Sequence, residues 1–267
     1  MHKNDHPRAK KSLGQHFLKH QNIAQNIVNL LDLSSNDNII EIGPGPGILT
    51  NILTISPHNT LLLLEKDHNF AKQRHNKDIK NFHTLLIDAL NFDWQRLNSI
   101  ESWKIVGNLP YNVASPLIWD IVSKSKNITK AVFMVQKEVG QRIISKPGNK
   151  IYGALSIWVQ SYAKAQLHYI IKPSSFIPPP KVDSCVISLD FLPIKQAPFI
   201  PKNLKYLLHL CFSQRRKQLK HIFHNANLDN LVDQCIHLKI LPSKRPEELS
   251  IDEFKKLSIY LENINNI

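Results

Sequence analysis

Hydrophobic and polar positions along this chain follow two patterns, and the change from one to the other divides it. Between residues 38 and 136, short apolar runs recur: Asn38–Ile42, Thr60–Glu65, His83–Asp88, Ile105–Asn108 and Ala131–Gln136. Runs this short and this continuous read as strands buried on both faces, the habit of a parallel sheet. Helical spacing lies between them. It appears at Ile23, Ile27, Leu30 and Leu31, over Ile48–Leu53, from Ser115-Pro116 onward, over Lys137–Ser145, and over Ile151–Tyr162, where Leu155 and Trp158 are among the apolar residues. Ala165–Ile171 and Ser184–Phe191 read as a closing pair of strands. Past the proline-rich stretch Pro193–Pro201 the pattern is helical throughout: Leu204–Phe212, Arg216–Asn225, Leu228–His237 and Ile251–Leu261. The expected organisation is an α/β domain over residues 1–194 and a small all-helical domain over 195–267.

The polar residues that close the strands carry the first chemical signal. Glu41 to Gly43, Glu65, Asp88 and Asn108 stand at the carboxyl ends of four successive runs. In an open parallel sheet those ends line one crevice, where ligands bind. The first run opens into Gly43-Pro-Gly-Pro-Gly47, with Gly45 at its centre. Glycines there let the backbone approach a ligand without a Cβ in the way. The spacing is not the dinucleotide Gly-x-Gly-x-x-Gly, and two prolines remove N–H donors, so a pyrophosphate cradle is disfavoured. A ligand held by its sugar and amino-acid portions suits the loop better. Glu65 lies about twenty residues further on, a spacing at which an acid commonly bonds ribose hydroxyls.

The stretch Lys104-Ile-Val-Gly-Asn-Leu-Pro-Tyr-Asn112 adds a second candidate function. Asn108 brings an amide with an acceptor oxygen. Pro110 locks its own φ and biases Leu109 to an extended conformation, which holds the Asn108 and Leu109 carbonyls in a fixed direction. Tyr111 adds a flat aromatic face. Such a group can grip a planar amine such as adenine, and it can equally be a turn between a strand and a helix. Further on, Phe176-Ile-Pro-Pro-Pro-Lys-Val-Asp-Ser184 is a stiff arm with an aromatic at its head. Phe176 could close a base-binding slot or simply fill the core.

Charge narrows the partner. The 267 residues contain 34 Lys and Arg against 21 Asp and Glu, a formal charge of +13. That excess favours a nucleic acid over an anionic membrane surface. No apolar run approaches 18 residues, so no membrane span is expected, and the polar N-terminus lacks a signal-peptide core. Residues 1–20 carry Lys3, Arg8, Lys10, Lys11 and Lys19 against Asp5, either a phosphate-contacting arm or a soluble terminus. Arg215, Arg216, Lys217 and Lys220 cluster at the start of an expected helix, as phosphate contacts or as a solvated face. Cys185, Cys211 and Cys235 are far apart, without metal-binding spacing, and fit reduced core residues of a cytoplasmic protein. His221 and His224 read as a solvated helix face, and no metal is expected.

Together these residues read as a Rossmann-like class I S-adenosylmethionine-dependent methyltransferase sheet that presents an amine to the cofactor's methyl group. The chain then resembles the ribosomal RNA adenine dimethyltransferases, in particular the bacterial type acting on small-subunit ribosomal RNA. The resemblance runs nearly end to end, through Leu13-Gly-Gln-His-Phe-Leu18, Glu41-Ile-Gly-Pro-Gly-Pro-Gly47, Asn108-Leu-Pro-Tyr-Asn112, Phe176–Ser184 and Phe212-Ser-Gln-Arg-Arg-Lys217. The Asn-Leu-Pro-Tyr motif alone would also admit DNA adenine methyltransferases. The resemblance implies cofactor contacts from His16, Leu18, Gly43, Gly45, Glu65, Asp88 and Asn108, with Asp88 on the cofactor's own adenine amine. It implies an acceptor site of Asn108, Leu109, Pro110, Tyr111 and Phe176, the two aromatics sandwiching the base. The implied product is N6,N6-dimethyladenosine at two adjacent adenosines near the RNA 3′ end, made on an assembling 30S particle by a monomer. The competing expectations are a methyltransferase for large-subunit RNA or DNA adenine, and a non-catalytic RNA-binding assembly factor.

Overall fold

The computed structural model describes residues 9–10, 13–74, 81–97, 101–124, 126–193 and 199–261. Of the basic N-terminal arm, Lys3, Asp5, Arg8 and Lys11 lie outside the described residues, as do 194–198 of the proline-rich boundary.

The chain runs through β1 (Phe17–Leu18), α1 (Gln21–Asn29), β2 (Asn38–Ile42), α2 (Thr50–Leu53), β3 (Thr60–Glu65), α3 (His68–Arg74) and β4 (Phe82–Leu86). It continues with β5 (Trp103–Asn108), α4 (Ala114–Lys124), β6 (Ile128–Gln136), α5 (Lys137–Ile143), α6 (Ala154–Tyr162), β7 (Ala163–Ile171), β8 (Phe176–Ile177) and β9 (Ser184–Phe191). The helices α7 (Pro201–Ser213), α8 (Leu219–Asn225), α9 (Asp229–His237) and α10 (Ile251–Ile259) close it.

Seven strands form one sheet in the order β4-β3-β2-β5-β6-β9-β7, and β1 pairs with β8 apart from it. The five strands from β4 to β6 are parallel, and β9 joins antiparallel to β6. The chain winds outward from β2 to β4, then returns to the other side of β2 as β5. That reversal opens a crevice at the carboxyl ends of β2 and β5, beside the register pair Ile42↔Gly107. Every residue of β2 is buried, which is why it reads as an unbroken apolar run. One face of the sheet packs Ile39, Leu61, Leu63 and Val106 against Ala24, Ile27, Val28 and Leu31 of the α1 region.

Contacts divide the chain into two units, 1–140 with 166–191, and 141–165 with 192–267. The expected division after residue 194 had left 141–165 with the sheet; the structure groups that segment with the C-terminal helices. Within the second unit α6 packs on α7 and α10. The Tyr152 hydroxyl donates to the Leu249 carbonyl at 3.0 Å, and the Gly148 N–H to the Glu247 carbonyl at 2.8 Å. The helix expected from Arg216 begins at Leu219 instead, and residues 214–217 form the turn before it. Among the described residues no helix is long and apolar enough to cross a membrane.

Candidate active site

The turn after β2 is built on glycines. Gly43 has φ +66°, a left-handed conformation that favours glycine, and a Cβ there would point into open space. The space is a cleft in the first unit that encloses about 920 Å³, its solvent-open mouth included. Its walls come from the ends of β2, β3 and β5, the loop after β4, and the residues preceding β1.

Glu65 closes β3 and is 4% exposed. Its Oε2 accepts from the Gly45 N–H at 3.0 Å and its Oε1 from the Asp67 N–H at 2.7 Å. Burial raises its pKa, against the pull of those two donors. Each carboxylate oxygen can accept a second bond, so Glu65 is fixed by protein and still able to receive hydroxyl hydrogens. Asp88 follows β4 by two residues. Its Oδ1 accepts from the Leu90 N–H at 3.1 Å, and its Oδ2 pairs with Lys66 at 2.7 Å. Partial burial would raise its pKa, but the Lys66 ammonium and the Leu90 N–H outweigh it and hold the carboxyl low.

Beneath the loop lies Glu41, 1% exposed, accepting from the Thr50 hydroxyl at 2.7 Å. Burial pushes its pKa up to about 7, opposed by that bond and by the Arg74 charge.

At the other end of the cleft, β5 delivers Asn108. Its Nδ2 donates to the His16 carbonyl at 2.8 Å, which leaves Oδ1 as the amide's acceptor on the cleft. The Pro110 carbonyl is committed to the first turn of α4, accepting from Val113 and Ala114 at 3.1 and 3.0 Å. The Tyr111 hydroxyl lies 2.6 Å from the Ser184 hydroxyl, and burial raises the phenol pKa. The His16 ring stacks on Tyr111 at 5.5 Å and 27°. Its Nδ1 lies 2.8 Å from the Pro178 carbonyl, which can only accept, so Nδ1 carries the proton.

His16, Gly43, Gly45, Glu65, Asp88, Asn108, Leu109, Pro110 and Tyr111 are thus brought to one cleft. Two expected site residues are not. Phe176 is 2% exposed and Leu18 6%; they face each other across the β1–β8 ladder and belong to the hydrophobic core. Neither is among the residues that line the cleft, because their burial against each other and the core removes them from its wall. The ring over Tyr111 is that of His16. Gln15, Phe17, Ile87 and Leu90 line the cleft without having been expected. The last two stand on either side of Asp88 in the chain and give that part of the cleft apolar walls.

The basic cluster separates in the same way. Arg215 donates from Nε to Glu247 at 2.5 Å and from Nη2 to the Lys150 carbonyl at 2.6 Å, so it ties the turn to its own unit. Arg216, Lys217 and Lys220 are not tied in this way: Lys217 and Lys220 stand on the solvent side of the turn and of α8. Among the described residues no group of three or more His, Cys, Asp or Glu is placed to hold a metal ion.

Residues 6–263 match the family model described as ribosomal RNA adenine dimethylase. A protein of Oleidesulfovibrio alaskensis named ribosomal RNA small subunit methyltransferase A is 46% identical over 96% of this chain and 92% of its own. A protein of the same name from Lawsonia intracellularis is 46% identical over 94% and 93%. Among solved structures, a dimethyladenosine transferase from Plasmodium falciparum superposes with a TM-score of 0.76 at 26% identity, covering 92% of this chain and 97% of that one. The 23S rRNA methyltransferase ErmE, at 19% identity and a TM-score of 0.67, shares the fold; it covers 92% of this chain and all of its own. An oriented Asn108, a loop of left-handed glycines and a matched sequence from end to end agree: the chain belongs to the ribosomal RNA adenine dimethylase family.

Proposed function

We propose that this protein uses S-adenosylmethionine to dimethylate the N6 amines of two adjacent adenosines near the 3′ end of small-subunit ribosomal RNA. In this reading it acts in the cytoplasm, as a monomer, on an assembling 30S particle. The observation that carries the reading is the Asn108 amide, turned by the His16 carbonyl so that Oδ1 is left for an amine. The relatives' names support the choice of small-subunit RNA.

The cofactor fits the residues present. Open space over Gly43, a Glu65 carboxylate with unused lone pairs, and Asp88 two residues past β4 suit a nucleoside bound by hydroxyls and an amine. S-adenosylmethionine supplies an electrophilic methyl group when bound. An adenine amine is a weak nucleophile because its lone pair delocalises into the ring. Asn108 Oδ1 and the Leu109 carbonyl, accepting its hydrogens, draw the nitrogen toward tetrahedral geometry and stabilise the positive charge that develops during transfer. Tyr111 gives the base, swung out of its stack, a flat surface. No strong general base is required when the proton leaves after transfer.

Incubation with labelled cofactor and separate immature small-subunit, large-subunit and DNA acceptors tests this directly. Dimethyladenosine in small-subunit RNA is the expected product. Label in the other acceptors instead, or in none, overturns the substrate or the enzymatic reading respectively.

In this reading the C-terminal unit grips RNA phosphates through Arg216, Lys217 and Lys220. Neutralising all three should flatten the slope of log affinity against log salt by roughly 0.7 to 0.9 for each phosphate no longer gripped. Arg215→Met should instead lower stability by on the order of 1 kcal/mol with the slope unchanged, because its donors are spent inside the protein. Identical behaviour of the two variants would remove the distinction.

A further inference from the structure

Phe176, which heads the Pro-rich segment, lies in the core and not on the cleft wall. Two other residues of the segment touch rings that line the acceptor end of the cleft. Ser184, fully buried, places its hydroxyl 2.6 Å from that of Tyr111. Pro178 offers its carbonyl to Nδ1 of His16, whose ring lies on Tyr111. Both anchor points are rigid. Ser184 opens β9 in register with Gln136 of β6, and the Lys137 N–H donates to the Asp183 carbonyl at 3.0 Å. Prolines at 178, 179 and 180 restrict the backbone between them.

Tyr111 itself sits in a turn after β5, where only its two side-chain torsions set the direction of the ring. A bond at the hydroxyl tip restrains the swing of the ring. A second ring stacked on its face restrains the tilt. We propose that the Phe176–Ser184 segment is a brace for Tyr111, with Ser184 as the positioning residue that holds the ring in the orientation a flipped adenine meets. This rests on Tyr111 being the face for the acceptor base. The brace also accounts for a buried serine beginning a strand, since its hydroxyl is a fixed point within reach of the phenol.

A freed ring would present the productive orientation only part of the time, and transfer would fall by that fraction. The test compares wild type, Ser184→Ala, Tyr111→Phe and the double variant in single-turnover methyl transfer to immature small-subunit particles at saturating cofactor. Each single change breaks the same bond and should slow transfer about three- to tenfold, as expected for one net hydrogen bond. The double variant should be no slower than the worse single one, and cofactor affinity should stay within about twofold. A Ser184→Ala rate equal to wild type, or single losses that multiply in the double variant, overturns the brace. A loss in Tyr111→Phe alone means that the hydroxyl acts by itself, which also overturns it. Should Ser184→Ala fail to fold, Tyr111→Phe breaks the bond from the half-exposed side and must show the loss. Ring-flip rates of 13C-labelled Tyr111 need no acceptor: they should rise in Ser184→Ala, and unchanged rates refute the brace even if the RNA reading fails on wild type.

Discussion

At one end of the cleft Glu65 is held by the main-chain N–H groups of Gly45 and Asp67, 20 and 2 residues away in the chain. At the other end Asn108 is held by the carbonyl of His16, 92 residues away, and Tyr111 by Ser184, 73 away. The difference follows from charge. A buried carboxylate is costly unless donors surround it, and the turns after β2 and β3 each supply a main-chain N–H. Either of its oxygens serves equally, so no distant group must choose between them. A carboxamide is neutral and less costly to bury, but its two ends are chemically opposite. Something outside the turn must select which end faces the ligand, and here a carbonyl takes the NH2 and leaves the oxygen. One end of the cleft is built for affinity by main-chain donors of neighbouring strand ends; the other is built for orientation by contacts between segments far apart in the chain.

The sharpest way to separate the two ends is Asn108→Ala. It should slow transfer by about 3–4 kcal/mol in barrier, on the scale of removing one oxyanion-hole donor, while cofactor affinity changes little. Comparable effects on both, read by single-turnover rate and calorimetry, would merge the ends into one.

Glu41 tests the cost of burying a carboxyl almost completely, with Thr50 and a more distant Arg74 charge as its support. Because its pKa is raised, the folded protein holds this proton more tightly than the unfolded chain. The associated stability is present below the ordinary value of 4.5 and is lost as pH rises to about 7, on the order of 3 kcal/mol at most. Glu41→Gln keeps the Thr50 bond without the charge. Its advantage over wild type in urea unfolding should therefore grow between about pH 5 and pH 8; a difference flat with pH would show that burial there is harmless.

Glu65→Ala should weaken the cofactor by about 2 kcal/mol, a pair of hydrogen bonds to a buried carboxylate, and leave the transfer rate at saturation near wild type. Asp88→Ala should cost less, about 1 kcal/mol, because its carboxyl is partly solvated and already engaged by Lys66. A larger effect at Asp88 than at Glu65, measured by calorimetry, would reverse the ranking of the two acids.

Much of the first unit was legible in the chain because its signals are local. Apolar runs of strand length, each ended by a polar residue, predict buried parallel strands, and Thr60–Glu65 and Ser184–Phe191 have the bounds expected. Gly43 and Gly45 mark a turn by their conformational freedom, and Pro110 restricts Leu109, whatever the rest of the molecule does. From such features the sheet, its crevice and the polar residues at the strand ends follow. Three things did not. Phe176 and Leu18 sit in the core because each faces the other across a two-stranded ladder formed by segments far apart in the chain. His16 lies over Tyr111 because Pro178 holds its ring, 162 residues away. Residues 141–165 join the C-terminal helices because Tyr152 and Gly148 find partners near residue 248. Strand length, turn chemistry and the ends of strands are settled by torsions and burial within a few residues, and a linear reading suffices for them. Which ring covers Tyr111, which way Asn108 points and which arginine is spent inside the fold depend on atoms that meet only when distant segments pack, so no local pattern could have announced them.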